Sequence, residues 1–133
     1  MTAPDLSKGI AVDAAHSEVN KMTEYHGVDL ETGEIVFYRR LGYSTVNIGE
    51  FLAIVEGMKY INSHNDVPRV IFSDSTTAIS WVKHKSSASK KICRLAQKAE
   101  IYLKACACMV DDIEIIKWDN KMWGEIPADF GRK

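Results

Sequence analysis

Four acidic residues stand at places in the sequence where carboxylates can meet. Asp13 lies near the end of a short apolar run, and Asp74 directly follows the apolar segment 70–72. Glu50 lies in the first turn of a predicted long helix, and Asp129 lies in a predicted terminal helix. In open sheets with parallel strands, sites form outside the carboxyl ends of the strands. If the strands leading to Asp13 and Asp74 are parallel neighbours, we expect their carboxylates to lie within a few ångströms of each other.

Carboxylates that close together predict metal chemistry. They repel each other, and one of the two tends to stay protonated. Divalent cations remove that conflict, and Mg²⁺ prefers carboxylate oxygens and water as ligands. Two such ions can clamp the attacking and leaving oxygens of a phosphoryl displacement. A single acid is more often a solvated loop residue or a helix cap, and the chain has 18 acids, so only the joint arrangement indicates a site.

Hydrophobic patterning predicts the elements that must carry these acids. Segment 8–15 is typical of a strand, and segment 24–41 is typical of a hairpin that turns at 31–34, where Gly33 supplies backbone freedom. An amphipathic helix follows, with Asn47 as its N-cap and Glu50 three residues later, as in a capping box. Its apolar residues recur at three- and four-residue steps: Phe51, Ile54, Val55, Met58 and Ile61.

The second half of the chain alternates strands and helices. We predict a buried strand at 70–72, a short helix at 76–84 and a helix that Ser89 caps and that runs towards Ala107. A strand at 113–116 follows, and Pro127 suits the first turn of a short terminal helix. The order β, β, β, α, β, α, α, β, α predicts a mixed α/β sheet that begins as an antiparallel meander. A length of 133 residues fits one domain, 1–133.

Composition excludes several classes of protein. The chain is 46% hydrophobic and 26% charged with a net charge of -1, as in soluble globular proteins. No stretch approaches the roughly 18 apolar residues of a membrane span, and the N-terminus lacks the apolar core of a signal peptide. The chain has an odd number of cysteines, three, and none has Cys or His partners at the spacing of zinc ligands: Cys93, Cys106 and Cys108. Both facts argue against a disulfide scaffold and a structural zinc site. We therefore expect a cytoplasmic monomer with no membrane partner.

One segment is locally basic. From Ser75 to Ala99 the chain has no acidic residue but has six basic ones: Lys83, Lys85, Lys90, Lys91, Arg94 and Lys98. A basic stripe on a slightly acidic protein is typical of phosphate binding, although a solvated helix face is the alternative interpretation. We predict that Lys83, Lys85, Lys90 and Lys91 contact a nucleic acid.

Four segments, in order, resemble type 1 ribonuclease H. They are IAVDAA at 10–15, TVNIGEFLA at 45–53, IFSDS at 71–75 and Ala128-Asp129, so the resemblance extends from about Lys8 to Phe130. It implies a five-stranded mixed sheet of strand order 3-2-1-4-5 with flanking helices. It also implies an endonuclease that hydrolyses the RNA strand of RNA–DNA hybrids and leaves 3′-hydroxyl and 5′-phosphate ends.

The resemblance assigns a role to each acid. It implies that two Mg²⁺ or Mn²⁺ ions bind in the active site and that Asp13 bridges them. It also implies that Glu50 and Asp74 complete the set of ligands of the ion on the leaving-group side, and that Glu50 lies near a ribose 2′-hydroxyl. Asp129 holds the ion that activates the attacking water.

The residues that contact the substrate in this family are matched only in part by this sequence. Thr45 and Asn47 match positions that contact the nucleic-acid backbone and minor groove, and Ser75 matches a small polar residue beside the metal site. The family's Gly-Asn-Pro-Gly loop is replaced by segment 16–22, which has Val19 in place of the RNA-contacting asparagine and Asn20 one position later. Asn20 is therefore our candidate for that contact. A histidine that many members carry before the last aspartate is absent between 116 and 129.

Two other functions stay open at this point. A Holliday-junction resolvase or a 3′–5′ exonuclease on the same fold would cut branched DNA or DNA ends and leave hybrids intact. A non-catalytic hybrid-binding module, suggested by the altered loop and the missing histidine, would bind hybrids without turnover. We predict the enzyme, because all four carboxylates are present.

Overall fold

The computed structural model describes residues 4–88 and 93–130 of the chain. The strands are β1 (Ile10–Ser17), β2 (Met22–Asp29), β3 (Ile35–Gly42), β4 (Val70–Ser73) and β5 (Glu114–Lys117). The helices are α1 (Val46–Ser63), α2 (Thr76–His84), α3 (Arg94–Ala105), α4 (Ala107–Val110) and α5 (Asn120–Trp123). The predicted order of elements is confirmed as far as β5, with α4 as one additional short helix. No helix in the described ranges is long and apolar enough to cross a membrane.

The strands form one sheet in the order β3-β2-β1-β4-β5. β1 pairs antiparallel with β2, and β2 pairs antiparallel with β3, whereas β4 runs parallel to both β1 and β5. The turn between β2 and β3 is made at Gly33, whose φ of 77° suits glycine and whose N–H donates to the Asp29 carbonyl at 2.7 Å. The predicted mixed sheet of order 3-2-1-4-5 is confirmed.

The two faces of the sheet carry cores of unequal size. Alternate residues of a strand point to opposite faces, so Val12 packs under the helices while Ala11 packs on the other side. The large-core face is the one covered by α1, α2 and α3, with Phe51 and Leu103 fully buried there. The small-core face is the opposite one, and its buried residues are Ala11, Val28, Phe72, Trp118, Ile126 and Ala128.

Helix α1 begins two residues earlier than the sequence predicts. Thr45 is its N-cap, in an extended conformation, and its hydroxyl accepts from the Ile48 N–H at 3.2 Å. The preceding residue, Ser44, is buried and donates its N–H to the Thr23 hydroxyl at 3.2 Å, which fixes where the chain enters the helix. The predicted Asn47 cap and capping box are therefore wrong, and Glu50 is a buried residue of the second turn.

The predicted terminal helix at Pro127 is also wrong. α5 ends at Trp123, and Gly124 at φ 80° turns the chain away from helical geometry. Beyond it, the described residues contain only a turn at 127–128, in which the Asp129 N–H donates to the Ile126 carbonyl at 2.8 Å. Ile126 and Ala128 both bury on the small-core face, and that two-residue spacing does not match one face of a helix. The predicted cap of the preceding helix, Ser89, lies outside the described residues.

Candidate metal centre

The central strands separate at the point where the site forms. β1 pairs with β4 at Ile10–Ile71 and at Ala11–Phe72, after which β4 ends at Ser73 while β1 continues to Ser17. β1 is also where the sheet changes from antiparallel to parallel pairing, which makes this edge the switch point at which open sheets bind ligands. Asp13 on β1 and Asp74 after β4 both lie there.

Glu50 reaches this edge from α1. Its Oε1 accepts a hydrogen bond from the Ala14 N–H at 3.0 Å, so the carboxylate is tied to β1 next to Asp13. Gly49 makes the close approach possible, because a Cβ there would lie 3.0 Å from the Ala14 Cβ and 3.1 Å from the Thr23 Cγ2. The packing of α1 on β1 therefore decides where the Glu50 carboxylate lies.

The chain around Asp74 is held by two serines. The Ser75 N–H donates to the Ser73 hydroxyl at 3.1 Å, and the Ser75 hydroxyl caps α2 by accepting from the Ala78 N–H at 3.1 Å. Ser73 is completely buried. These hydrogen bonds hold the backbone on both sides of Asp74 in place without the help of a ligand.

Asp13, Glu50 and Asp74 come together as predicted. One carboxylate oxygen from each lies within 4.8 Å of the other two. Asp13 is 0% exposed and Glu50 is 4% exposed, whereas Asp74 is half-buried. Buried like charges at this separation disfavour one another, and oxygens on one Mg²⁺-sized ion lie at most about 4.2 Å apart. The donor set therefore fits a hard divalent cation with only a small side-chain adjustment.

An open cleft of about 480 Å³ is lined by two of these acids, Glu50 and Asp74. Both α1 and α2 begin at its edge, and the positive ends of their dipoles favour an anion such as phosphate. The predicted contact residues Asn47 and Ser75 line it together with Glu50 and Asp74. The remaining lining residues are Ala14, Ala15, His16 and Val46.

The segment that carries Asp129 packs on β2, the strand next to the one that carries Asp13. Asp129 is half-buried and lies outside the group of three acids whose oxygens cluster. Its neighbours contact His26 on β2: the imidazole Nε2 hydrogen-bonds the Ala128 carbonyl, and the ring stacks on Phe130 with centroids 3.9 Å apart. His26 lies directly opposite Asp13 in the β1–β2 pairing.

Two predicted substrate contacts lie away from the cleft lining. Thr45, whose hydroxyl accepts the capping hydrogen bond of α1, is half-buried. Asn20 is exposed in the β1–β2 turn, where its N–H donates to the Ser17 hydroxyl at 3.1 Å, and the neighbouring Val19 is 92% exposed. Contacts of Thr45 and Asn20 with a substrate stay predictions.

The basic residues lie at the far end of α2. That helix has nine residues and is about 13 Å long, so Lys83 and Lys85 stand well away from its start at the cleft. Both line a separate cavity of about 230 Å³, where the Lys85 Nζ pairs with the Asp111 Oδ1 at 2.9 Å. Lys90 and Lys91 lie outside the described residues. A role in nucleic-acid binding for these lysines stays a prediction.

Sequence reasoning missed two buried polar residues beside the site. Glu24 and His26 are 6% and 8% exposed, and they share the small-core face with Asp13. Glu24 accepts a hydrogen bond from the Tyr38 hydroxyl at 2.7 Å. The signal was present in the polar-apolar-polar order Glu24-Tyr25-His26, which places both polar side chains on one face of a strand.

Comparison with known proteins identifies the fold. No protein-family model matches the chain. Among solved structures, the RNase H1 called LC11, isolated from compost by a metagenomic approach, is 14% identical with a TM-score of 0.58 over 86% of each chain. The N-terminal RNase H domain of Rv2228c from Mycobacterium tuberculosis, solved as a fusion with maltose-binding protein, is 13% identical. Its TM-score is 0.50, over 84% of this chain and 87% of that one. The protein therefore has the RNase H-like fold.

Proposed function

We propose that the protein is a metal-dependent nuclease that hydrolyses the RNA strand of RNA–DNA hybrids. The observation that supports this most is the group formed by Asp13, Glu50 and Asp74. One carboxylate oxygen of each lies within 4.8 Å of the other two, and Glu50 and Asp74 line an open cleft. The likeness of the fold to two structures named as RNase H adds to it. The products would carry 3′-hydroxyl and 5′-phosphate ends.

The carboxylates would hold Mg²⁺ or Mn²⁺. Asp13, Glu50 and Asp74 supply the oxygens of the group, and Asp129 would join Asp13 in holding a second ion. Two such ions, when bound, supply positive charge at both the attacking and the leaving oxygen of an in-line displacement. A phosphodiester needs that charge stabilisation more than it needs a protein nucleophile.

The protein's own groups orient these oxygens and the substrate. The Ala14 N–H holds the Glu50 carboxylate through a 3.0 Å hydrogen bond, which reduces the reorganisation needed during reaction. The starts of α1 and α2 offer their positive dipole ends to the scissile phosphate. The exposed Asn47 side chain at the cleft can hydrogen-bond a ribose 2′-hydroxyl, the group that distinguishes RNA from DNA.

The direct test is cleavage of an end-labelled RNA–DNA hybrid, with single-stranded RNA and duplex DNA in parallel. Mg²⁺ and Mn²⁺ are supplied separately. Asp74→Asn removes a negative charge from the acidic group, and Asp66→Asn is the matched control, because Asp66 is exposed in the loop that precedes β4. We expect internal cuts in the RNA of the hybrid that Asp74→Asn abolishes and Asp66→Asn preserves.

Other outcomes of the same assay would point elsewhere. A hybrid that is bound but intact in both metals contradicts the proposal and supports a non-catalytic binding module. Cleavage of branched DNA or DNA ends with intact hybrids supports a resolvase or an exonuclease on this fold. Cleavage that survives Asp74→Asn means that the acidic group is not the catalytic centre.

A further inference from the structure

The segment that carries Asp129 has no helix or strand between residues 124 and 130. Between Gly124 and Phe130 its described backbone makes a turn at 127–128, and Ile126 and Ala128 supply its buried side chains. Contacts of its neighbours with the small-core face therefore hold this segment in place.

His26 makes those contacts on both sides of residue 129. A carbonyl oxygen only accepts hydrogen bonds, so the His26 Nε2 donates to the Ala128 carbonyl. The same ring stacks on Phe130, with 15° between the ring planes. His26 is 8% exposed, so water competes little for this donor. One imidazole thus holds the residue before Asp129 and the residue after it.

The pairing of the strands links this anchor to the acidic group. His26 and Asp13 are cross-strand partners, and partners on adjacent strands point to the same face. The anchor therefore stands one strand spacing, about 4.8 Å, from the strand that carries Asp13. Nothing in the chemistry of Asp129 itself requires a histidine at this position.

We propose that His26 is a positioning residue that holds Asp129 beside Asp13 by binding both of its chain neighbours. This inference rests on the proposed function, because it gives Asp129 a role in metal binding. His26 touches neither substrate nor ion, and it acts through its hydrogen bond to Ala128 and its stack on Phe130. Loss of the imidazole donor loosens the chain on either side of Asp129, while β2 stays in the sheet.

The test separates the two contacts of the imidazole. His26→Phe keeps an aromatic ring for Phe130 but removes the donor, and His26→Gln keeps an N–H donor near the place of Nε2. His64→Phe is the matched control. The His64 ring also hydrogen-bonds a carbonyl, that of Tyr60 at 2.8 Å, and stacks on a ring, again Tyr60, at 4.0 Å, but at the far end of α1.

Two measurements test whether His26 holds the segment of Asp129 in place. Amide hydrogen exchange of the metal-free protein follows the Asp129 N–H, which is bonded to the Ile126 carbonyl. Calorimetric titration with Mn²⁺ follows ion binding without any need for activity. We expect His26→Phe to speed exchange at 126–130 and to weaken the binding of one Mn²⁺, each at least tenfold. His26→Gln should restore part of both, and His64→Phe should change neither.

A double variant decides whether the effect passes through Asp129. In an Asp129→Asn background, His26→Phe should weaken Mn²⁺ binding no further, because the carboxylate that it positions is gone. Unchanged exchange and Mn²⁺ binding in His26→Phe would overturn the inference. So would faster exchange spread evenly over β1 and β4, because that indicates general destabilisation.

Failure of the proposed function gives a different result. If Asp129→Asn alone weakens Mn²⁺ binding but His26→Phe does not, only the role of His26 is wrong. If Asp74→Asn still cuts hybrids, the proposed catalytic centre is wrong, and the exchange at 126–130 still shows whether His26 holds the segment.

Discussion

The acidic group and the segment of Asp129 are supported in different ways. Asp13, Glu50 and Asp74 belong to β1, to α1 and to the end of β4, and the helices that cover the large-core face hold these elements in place. Asp129 belongs to a segment without regular structure, which rests on the small-core face and on His26. The first three acids are therefore arranged by strands and a helix, whereas the fourth is carried by an irregular segment that is held by its buried side chains and by His26.

The largest expected effect comes from removing an acid of the group. We expect Asp13→Asn to lower hybrid cleavage on the order of 10³-fold, since the lost charge stabilisation amounts to several kcal/mol. Asp129→Asn should cost at least tenfold less, because Asp129 lies outside the clustered oxygens. Single-turnover cleavage rates in saturating Mg²⁺ measure both. Equal losses would remove the distinction between the two regions.

The second prediction compares the two cores. Phe51→Ala on the large-core face should lower the free energy of unfolding by about 3–5 kcal/mol, because the side chain is fully buried. Ile126→Ala should cost less in global unfolding and instead open residues 124–130 locally. Urea unfolding gives the first quantity, and hydrogen exchange gives the second. If the global loss for Ile126→Ala matches that for Phe51→Ala, the two faces form one cooperative unit.

The third prediction compares the cap of α1, which carries Glu50, with the cap of α5, the short helix that precedes the segment of Asp129. Thr45→Ala should lower the free energy of unfolding by about 1 kcal/mol, because the hydroxyl satisfies the Ile48 N–H at the start of α1. Asp119→Ala, which removes the cap of the four-residue helix α5, should lower it less, because that helix can fray alone. Asn47→Ala is the control, with almost no effect. A larger loss for Asn47→Ala than for Thr45→Ala would reinstate the cap predicted from sequence.

The smallest effect is expected at the other end of β4, away from both regions. Arg69 forms an ion pair with Asp112, and its hydrogen bonds lower the pKa of that exposed carboxyl below the usual 3.8. A lowered pKa in the folded state stabilises the protein above the usual pKa, and this contribution disappears as the pH falls through the lowered value. The difference in Tm between the wild type and Asp112→Asn should therefore be small at pH 7 and vanish in acid. A difference that grows in acid would contradict this sign.

Sequence patterns predicted the strands, the long helix and the grouping of Asp13, Glu50 and Asp74, because all of these follow from the order of apolar and polar residues along short stretches of the chain. The apolar runs before Asp13 and Asp74 mark strands that end at the same edge of the sheet, and the spacing of apolar residues marks α1. What the patterns missed depends on contacts between distant residues. Thr45 rather than Asn47 caps α1, because the Ser44 N–H donates to the hydroxyl of Thr23 on β2 and this fixes where the chain enters the helix.

The same reason explains the errors near the C-terminus. Pro127 favours a helix locally, but burial of Ile126 and Ala128 against the sheet stabilises an irregular chain instead. His26 and Glu24 are polar residues of a strand near the sheet edge, where exposure is the usual expectation. His26 is buried because a segment that lies 102 residues later in the chain packs on it.

The distances in sequence between Asp13, Glu50 and Asp74 also bear on how the protein folds. Residues this far apart in the chain repel each other little while the chain is unfolded, so their mutual repulsion arises only when β1, α1 and β4 meet. A divalent ion that needs all three carboxylates would bind only once these elements have met, and we expect this to happen after the transition state for folding. In kinetic terms, such an ion would slow unfolding and leave the folding rate nearly unchanged, so that it prolongs the lifetime of the native state.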